Sequence, residues 1–151
     1  AFPGVNRPAP VPGDLDGPQA RPPYDLTVNN FRFHPDYRID RILFREIIGT
    51  VTDAVYVKPH LRGDLFRFAS GRLEASMFAV MSWAVNAESA PGQKRSLGVE
   101  LDPSLSYQSR DGFVLALEQA TFLPGAGLDN PELGLRAKTA QLWRVSAAFT
   151  F

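Results

Sequence analysis

The sequence ends on Arg144-Val145-Ser146-Ala147-Ala148-Phe149-Thr150-Phe151, and this stretch decides the fold. Every second residue counted back from the end is apolar, whereas the residues between are mostly small or polar. The apolar set is Phe151, Phe149, Ala147, Val145 and Trp143. Because the side chains of a β-strand alternate between its two faces, this period of two predicts a strand with one apolar face.

The composition favours an all-β protein of one domain, or part of a larger one. The 151 residues include 12 glycines and 13 prolines, and helical periodicity is scarce. The absence of cysteine excludes disulfide frameworks, thiol catalysis and thiolate metal sites. Because 16 basic residues balance 16 acidic ones, the net charge indicates neither a nucleic-acid partner nor a polybasic membrane anchor.

The hydropathy pattern allows membrane strands but not a membrane helix. The longest apolar run, residues 77–85, is interrupted by Ser82 and is far shorter than the roughly 20 residues that a spanning helix needs. A spanning strand needs only about 9–11 residues, apolar on one face. No signal peptide precedes Ala1, so we expect a mature, truncated or partial chain.

The first part of the chain is irregular. Residues 1–23 contain seven of the 13 prolines, which predicts a Pro-rich arm or loop, and residues 24–151 are assigned to the strands of a barrel. Residues 24–33 suggest a short strand. Residues 37–48 fit a strand or a short helical segment inside the barrel, and the turn and β residues that follow favour the strand.

From residue 53 onward, apolar and polar residues alternate clearly in each predicted strand. The connections between these strands are alternately short and long. The predicted strands cover residues 53–67, 72–88, 96–108, 113–123 and 136–151. Short connections lie at 69–71 and 109–112, and longer ones lie at 89–95 and 124–135. Outer-membrane barrels alternate short periplasmic turns with longer external loops, so the chain end is placed on the periplasmic side. Pro103 predicts a bulge within its strand.

Charged side chains avoid the apolar face of these strands. A lysine or arginine facing lipid at mid-bilayer costs about 2–4 kcal/mol, so such exclusion is expected for a face in hydrocarbon. The strands of a soluble lipocalin-like barrel also alternate apolar and polar residues, but there the apolar face points inward. The residues that we predict to face a lumen are Lys58, His60, Arg62, Asp64, Glu74, Glu100, Asp102, Glu118 and Arg144.

Aromatic residues lie near both ends of the predicted strands, as in the aromatic girdles of membrane barrels. The tryptophans fall toward the external ends and the others toward the periplasmic ends. The predicted girdle consists of Trp83, Tyr107, Phe113, Trp143 and Phe149.

The last strand resembles the terminal signal of bacterial outer-membrane barrels. That signal has a polar residue, a small residue two positions later, and aromatics at the last and third-last positions; Arg144, Ser146, Phe149 and Phe151 fill these places. Ser146 stands where glycine is commoner. The resemblance implies that Phe149 and Phe151 form a C-terminal assembly signal, with the barrel-assembly machinery as a partner.

A second resemblance covers residues 31–151. It rests on Phe33-His34-Pro35-Asp36-Tyr37, on Leu43-Phe44-Arg45-Glu46-Ile47-Ile48-Gly49-Thr50-Val51-Thr52, on Tyr56-Val57-Lys58-Pro59 and on Gly98-Val99-Glu100-Leu101-Asp102. These stretches resemble the C-terminal portion of an uncharacterised, porin-like family of myxobacterial outer-membrane barrel proteins. The resemblance implies a location and an architecture, and it suggests that the chain is part of a longer protein.

No set of residues indicates catalysis, a metal or a cofactor. Neither His34 nor His60 has a ligand partner at suitable spacing, and no phosphate loop or serine elbow occurs. Two interpretations of the charged face stay open. Opposed basic and acidic groups set a transverse field for permeation, or they neutralise one another in a closed lumen. The basic group is Lys58, His60 and Arg62, and the acidic group is Glu100, Asp102 and Glu118.

The sequence therefore predicts an antiparallel transmembrane β-barrel with up-and-down topology, or its C-terminal part, in the outer membrane of a Gram-negative bacterium. The six or seven strands seen fall short of the eight or more of such barrels. We expect a channel or passive pore and no enzyme. A non-conducting structural or assembly barrel and a soluble lipid-binding barrel are the alternatives. Expected partners are outer-membrane lipid and a homo-oligomer or larger membrane complex, without nucleic acid.

Overall fold

The computed structural model describes residues 33–150, which form one antiparallel sheet with short helical turns. The predicted all-β antiparallel meander is confirmed. The strands are β1 (Ala54–Val57), β2 (His60–Arg67), β3 (Gly71–Ala84), β4 (Ser96–Ser109), β5 (Phe113–Pro124) and β6 (Ala140–Phe149). Each strand from β3 to β6 pairs with the next along the chain.

Strands β1 and β2 are two halves of one interrupted edge strand. Both pair with β3, with Ala54 opposite Ala84 in one half and His60 opposite Phe78 in the other. The break falls at Pro59, which has no N–H to donate to the ladder. Its carbonyl still accepts the N–H of Ala79 at 3.1 Å, so the edge continues across the break.

The connections alternate in length as predicted. Residues 68–70 and 110–112 make tight turns at one end of the sheet, the turn end, and residues 85–95 and 125–139 make longer loops at the other, the loop end. The second turn needs a glycine, because Gly112 has a φ of +87°, which L-residues rarely adopt. Its carbonyl accepts the N–H of Thr150, which extends the pairing past β6.

The two faces of the sheet differ in what covers them. Residues 39–48 pack on one face, which we call the inner face; the opposite face is the outer face. A small apolar core lies on the inner face near the loop end. Its members are Ile39, Ile42, Leu43, Phe44, Val51, Val80, Ala84, Ala90, Leu97, Ala120 and Phe122.

The preference for a strand over residues 37–48 is wrong. The segment contains a π-helical turn, Leu43–Ile47, and lies on the inner face, as the helical alternative placed it. The carboxylate of Asp40 accepts the N–H of Phe44 at 2.9 and 3.1 Å, so a local side-chain bond starts the turn.

The bulge predicted at Pro103 is also wrong, because Pro103 lies opposite Met77 in unbroken register. Two register shifts occur elsewhere, between Asp64 and Phe66 in β2 and between Ser82 and Trp83 in β3. The Pro-rich arm (residues 1–23) and nearly all of the strand predicted at 24–33 lie outside the described residues; Phe33, which is described, is not in a strand.

The described sheet is open. Within residues 33–150, β6 pairs only with β5, and β1 and β2 pair only with β3. Closure into a barrel therefore stays a prediction. None of the helical turns in this part of the chain has the length and apolar character that a membrane-crossing helix requires.

Candidate functional site: the charged inner face and the apolar outer face

The outer face exposes an apolar surface that crosses the sheet. In one cross-strand row, Leu105 lies opposite Leu117, and Leu117 lies opposite Val145. Val145 is 69% exposed and Trp143 is 66% exposed, values typical of unpacked side chains. Other large apolar residues exposed on this face are Val55, Val57, Leu61, Met77, Trp83, Leu105, Phe113, Leu115, Leu117, Leu123 and Phe149.

Polar residues on the outer face are few. Two of them are Gln119 and Thr121 of β5. They lie opposite Trp143 and Gln141 of β6, which places them on the outer face. The amide of Gln119 donates a hydrogen bond to the hydroxyl of Thr121. Such a pair satisfies polar atoms that would be costly in an apolar environment.

The residues predicted to face a lumen divide into two groups. Glu100 and Asp102 of β4 are buried, with 1% and 0% of their surface exposed. Half-buried on the same inner face are Glu74, Glu118 and Arg144. Exposed near the open edge of the sheet are Lys58, His60, Arg62 and Asp64.

Glu100 is a carboxylate held by the backbone of another segment. Its Oε1 accepts the N–H groups of Arg41 and Ile42, both at 2.8 Å, and its Oε2 accepts the N–H of Leu43 at 2.9 Å. Successive backbone N–H groups that converge in this way form an anion-binding concavity. Here the bound anion is a side chain of the sheet, so Glu100 fixes residues 41–43 onto the inner face.

Arg41 is a central residue of this charged cluster that the sequence did not reveal. Its Nη2 donates to Glu118 Oε1 at 2.8 Å, and its Nη1 donates to the carbonyls of Pro103 and Gln119, both at 3.1 Å. The guanidinium also lies 5.5 Å from the centre of the Phe78 ring. No local pattern identifies this role, because Glu118 lies 77 residues further along the chain.

Glu118 links the segment to the last strand. Its Oε2 lies 3.6 Å from Nη1 of Arg144, the residue directly opposite it in β6. Together with the bonds from Arg41, this ion pair makes a charged bridge across β5, β6 and the segment. The basic group predicted to oppose these acids pairs elsewhere: Arg62 binds Glu74 at 2.7 Å, and the Lys58 ammonium lies 4.6 Å from the Phe78 ring.

Two further carboxyl groups are buried beside Glu100. Burial raises the pKa of Asp40 from its ordinary 3.8 to about 7, and the negative charge of Glu100 adds to the rise. Asp102 is fully buried, and neither of its oxygens accepts a hydrogen bond from the residues described. In that part of the chain, no three histidine, aspartate or glutamate side chains are arranged to hold a metal ion.

The predicted girdle residues lie toward the ends of the strands. Phe113 and Phe149 are directly opposite each other at the turn end, and the Tyr107 hydroxyl is 3.3 Å from that of Ser70 in a turn there. Trp83 and Trp143 lie toward the loop end. Phe151 is outside the described residues. A girdle and an assembly signal both stay predictions.

Comparison of the chain with protein-family models, with curated proteins and with solved structures gives no match. The resemblance to the myxobacterial barrel family therefore stays a prediction.

Proposed function

We propose that the chain forms part of the wall of an outer-membrane β-barrel in a Gram-negative bacterium, and that this barrel is a channel for passive passage of solutes. The observation that carries the proposal is the inversion of the two faces. The face with Trp143 and Val145 is exposed, whereas Glu100 and Asp102 on the other face are buried. A soluble lipid-binding barrel has the opposite arrangement, with its apolar face inward.

The free energy of burying apolar surface favours contact between the outer face and hydrocarbon. Apolar surface left in water costs roughly 25 cal/mol per Å² relative to burial. Monomeric soluble proteins rarely expose contiguous apolar patches larger than a few hundred Å². The outer face has apolar rows across several strands, so contact with lipid acyl chains would remove this cost.

Strand length also supports the proposal. Strands β3 and β4 have 14 residues each, and β6 has 10. At about 3.4 Å per residue, 14 residues extend roughly 48 Å, which crosses a hydrocarbon core of about 30 Å even with a tilt of about 45°.

The open edges imply further strands. Within residues 33–150, no further strand pairs with the outer edge of β6 or with the β1–β2 edge. Because an open sheet edge is costly in hydrocarbon, a membrane sheet must close. We propose that the missing strands come from the rest of a longer protein or from further copies in a homo-oligomer or larger complex. Phe149 and Phe151 would then direct the closing strand to the barrel-assembly machinery.

The polar surface nearer the turn end supports a water-filled path. The hydroxyls of Ser76 and Ser104 form a 2.6 Å hydrogen bond there, and Arg72 binds Gln108. Residues 39–48 cover the inner face further toward the loop end, and this observation favours a second candidate, a non-conducting structural barrel. In the channel proposal, the same segment narrows the pore.

Three measurements on refolded protein test these proposals. A membrane barrel requires detergent or lipid to stay in solution and migrates differently on detergent gels before and after boiling. A soluble barrel remains in buffer without detergent, and this result would contradict the membrane proposal. In planar bilayers, discrete conductance steps are expected of a channel, whereas folded protein without steps would favour the non-conducting barrel.

A further inference from the structure

A cavity of about 400 Å³ opens at the turn end of the inner face. It lies between β2, β3 and β4 and the turn after β4. Its volume falls within the range of ligand pockets in proteins, roughly 300–1,000 Å³. The charged and polar residues that line it are Asp64, Arg67, Arg72, Gln108, Ser109 and Arg110.

The cavity has an excess of positive charge. Three guanidinium groups face one carboxylate, that of Asp64, which binds Arg67 at 2.6 Å. Arg72 donates from Nε and Nη2 to one acceptor, Gln108 Oε1, at 3.1 and 2.8 Å. The guanidinium of Arg110 has no hydrogen bond or ion pair with any residue that the structure describes, so its donors are available.

The strand register brings two of these arginines together. Arg67 lies directly opposite Arg72, and like charges in this position destabilise a sheet. The bulge between Asp64 and Phe66 causes the juxtaposition. Without the bulge, Arg67 would share the outer face with Leu61 and Gly63; the extra residue moves it to the inner face. Bulges often redirect a side chain in this way beside a binding site.

We propose that this cavity binds a phosphate group through Arg67, Arg72 and Arg110. Planar guanidinium groups bind phosphate oxygens through paired, charge-assisted hydrogen bonds. A bound anion would also neutralise the repulsion between Arg67 and Arg72. The phosphate belongs to a free solute or to a phospholipid headgroup. This site goes beyond the proposed channel, since it needs the geometry of β2 to β4 and not a closed pore.

The test is calorimetric titration of the whole chain in a neutral detergent at fixed ionic strength. Inorganic phosphate and a short-chain phosphatidylglycerol are titrated separately. We expect saturable binding of at least one ligand, weakened about tenfold or more by Arg110→Gln and by Arg72→Gln. Arg110 is in a turn, and its side chain has no partner among residues 33–150, so Arg110→Gln leaves the fold intact. Arg136→Gln, in an exposed loop away from the cavity, is the matched control and leaves the affinity unchanged.

The relative affinities of the two ligands and of the variant determine whether the site exists and which ligand it binds. Tighter binding of the lipid assigns the site to a headgroup, and tighter binding of inorganic phosphate assigns it to a solute; both support the site. Equal affinity in the wild type and in Arg110→Gln, or binding of neither ligand, overturns it. Because no conductance is measured, failure of this site is distinguishable from failure of the channel proposal.

Discussion

Glu100 Oε1 lies 2.8 Å from the backbone nitrogen of Arg41, and this hydrogen bond joins the middle of the sheet to a segment 59 residues earlier in the chain. The side chain of Arg41 then reaches β5 through Glu118. One carboxylate and one guanidinium thus fasten residues 39–48 to the inner face.

Glu100→Ala is expected to destabilise the protein by about 2–4 kcal/mol. The substitution leaves three buried N–H groups, those of residues 41–43, without an acceptor, although removing one negative charge near Asp40 and Asp102 offsets part of the loss. Urea unfolding in detergent, followed by tryptophan emission, measures the change. Ser106→Ala, on the same face and strand, is the control and should unfold within about 0.5 kcal/mol of the wild type.

Arg41→Ala is expected to increase single-channel conductance, because residues 39–48 would lose the ion pair and the two carbonyl contacts that, together with Glu100, hold them on the inner face. Planar-bilayer recording gives the size of the steps. The matched control is Arg38→Ala, an exposed arginine just before the segment. Unchanged steps in folded Arg41→Ala protein would mean that the side-chain contacts of Arg41 do not control the width of the conducting path.

The raised pKa of Asp40 predicts that the stability of the protein depends on pH. Because burial raises the pKa of Asp40 from 3.8 to about 7, the folded state holds its proton more tightly than the unfolded state does. The resulting stabilisation is fully present below pH 4 and is lost as the pH rises to about 7. Glu100 faces this group and strengthens the effect, and Lys58 weakens it.

Asp40→Asn removes this titration while keeping an oxygen for the N–H of Phe44. Unfolding free energies measured between pH 4 and pH 8 should therefore decline less steeply in the variant than in the wild type. Parallel curves for the two proteins would show that Asp40 is ionised in the folded state across this range.

Phe151→Ala is expected to lower the amount of protein assembled in the outer membrane while leaving refolding in detergent nearly unchanged. The reason is that the terminal aromatic residue is proposed to be read by the assembly machinery. Quantifying the heat-modifiable form in membrane fractions tests this prediction, with Thr150→Ala as the control. Normal membrane levels of Phe151→Ala would count against the assembly signal.

Local alternation was sufficient to predict the strands from residue 53 onward, but not the conformation of residues 37–48. The pattern over residues 96–108 matches β4, Ser96–Ser109, because each residue of a strand faces the side that its parity dictates. The Arg110-Asp111-Gly112 turn could also be predicted, because its glycine supplies the positive φ. These features depend on neighbours in the sequence.

The attachment of residues 39–48 to the inner face could not be predicted from the local sequence. Their apolar spacing fits a strand and a helix, and Glu100, far along the chain, helps to decide between them by accepting the N–H groups of Arg41, Ile42 and Leu43. The bulge that redirects Arg67 is equally hidden, because it depends on how β2 aligns with β3. Long-range pairing is what periodicity does not encode.

Contact between the outer face and lipid is tested most directly with the two tryptophans of the chain, Trp83 and Trp143, which both lie on that face. Their fluorescence is measured after reconstitution into vesicles, with quenching by lipids brominated on the acyl chain compared with quenching by aqueous acrylamide. If the outer face contacts acyl chains, the brominated lipids quench this fluorescence strongly and acrylamide quenches it weakly. Strong quenching by acrylamide, with none by the brominated lipids, would contradict this contact.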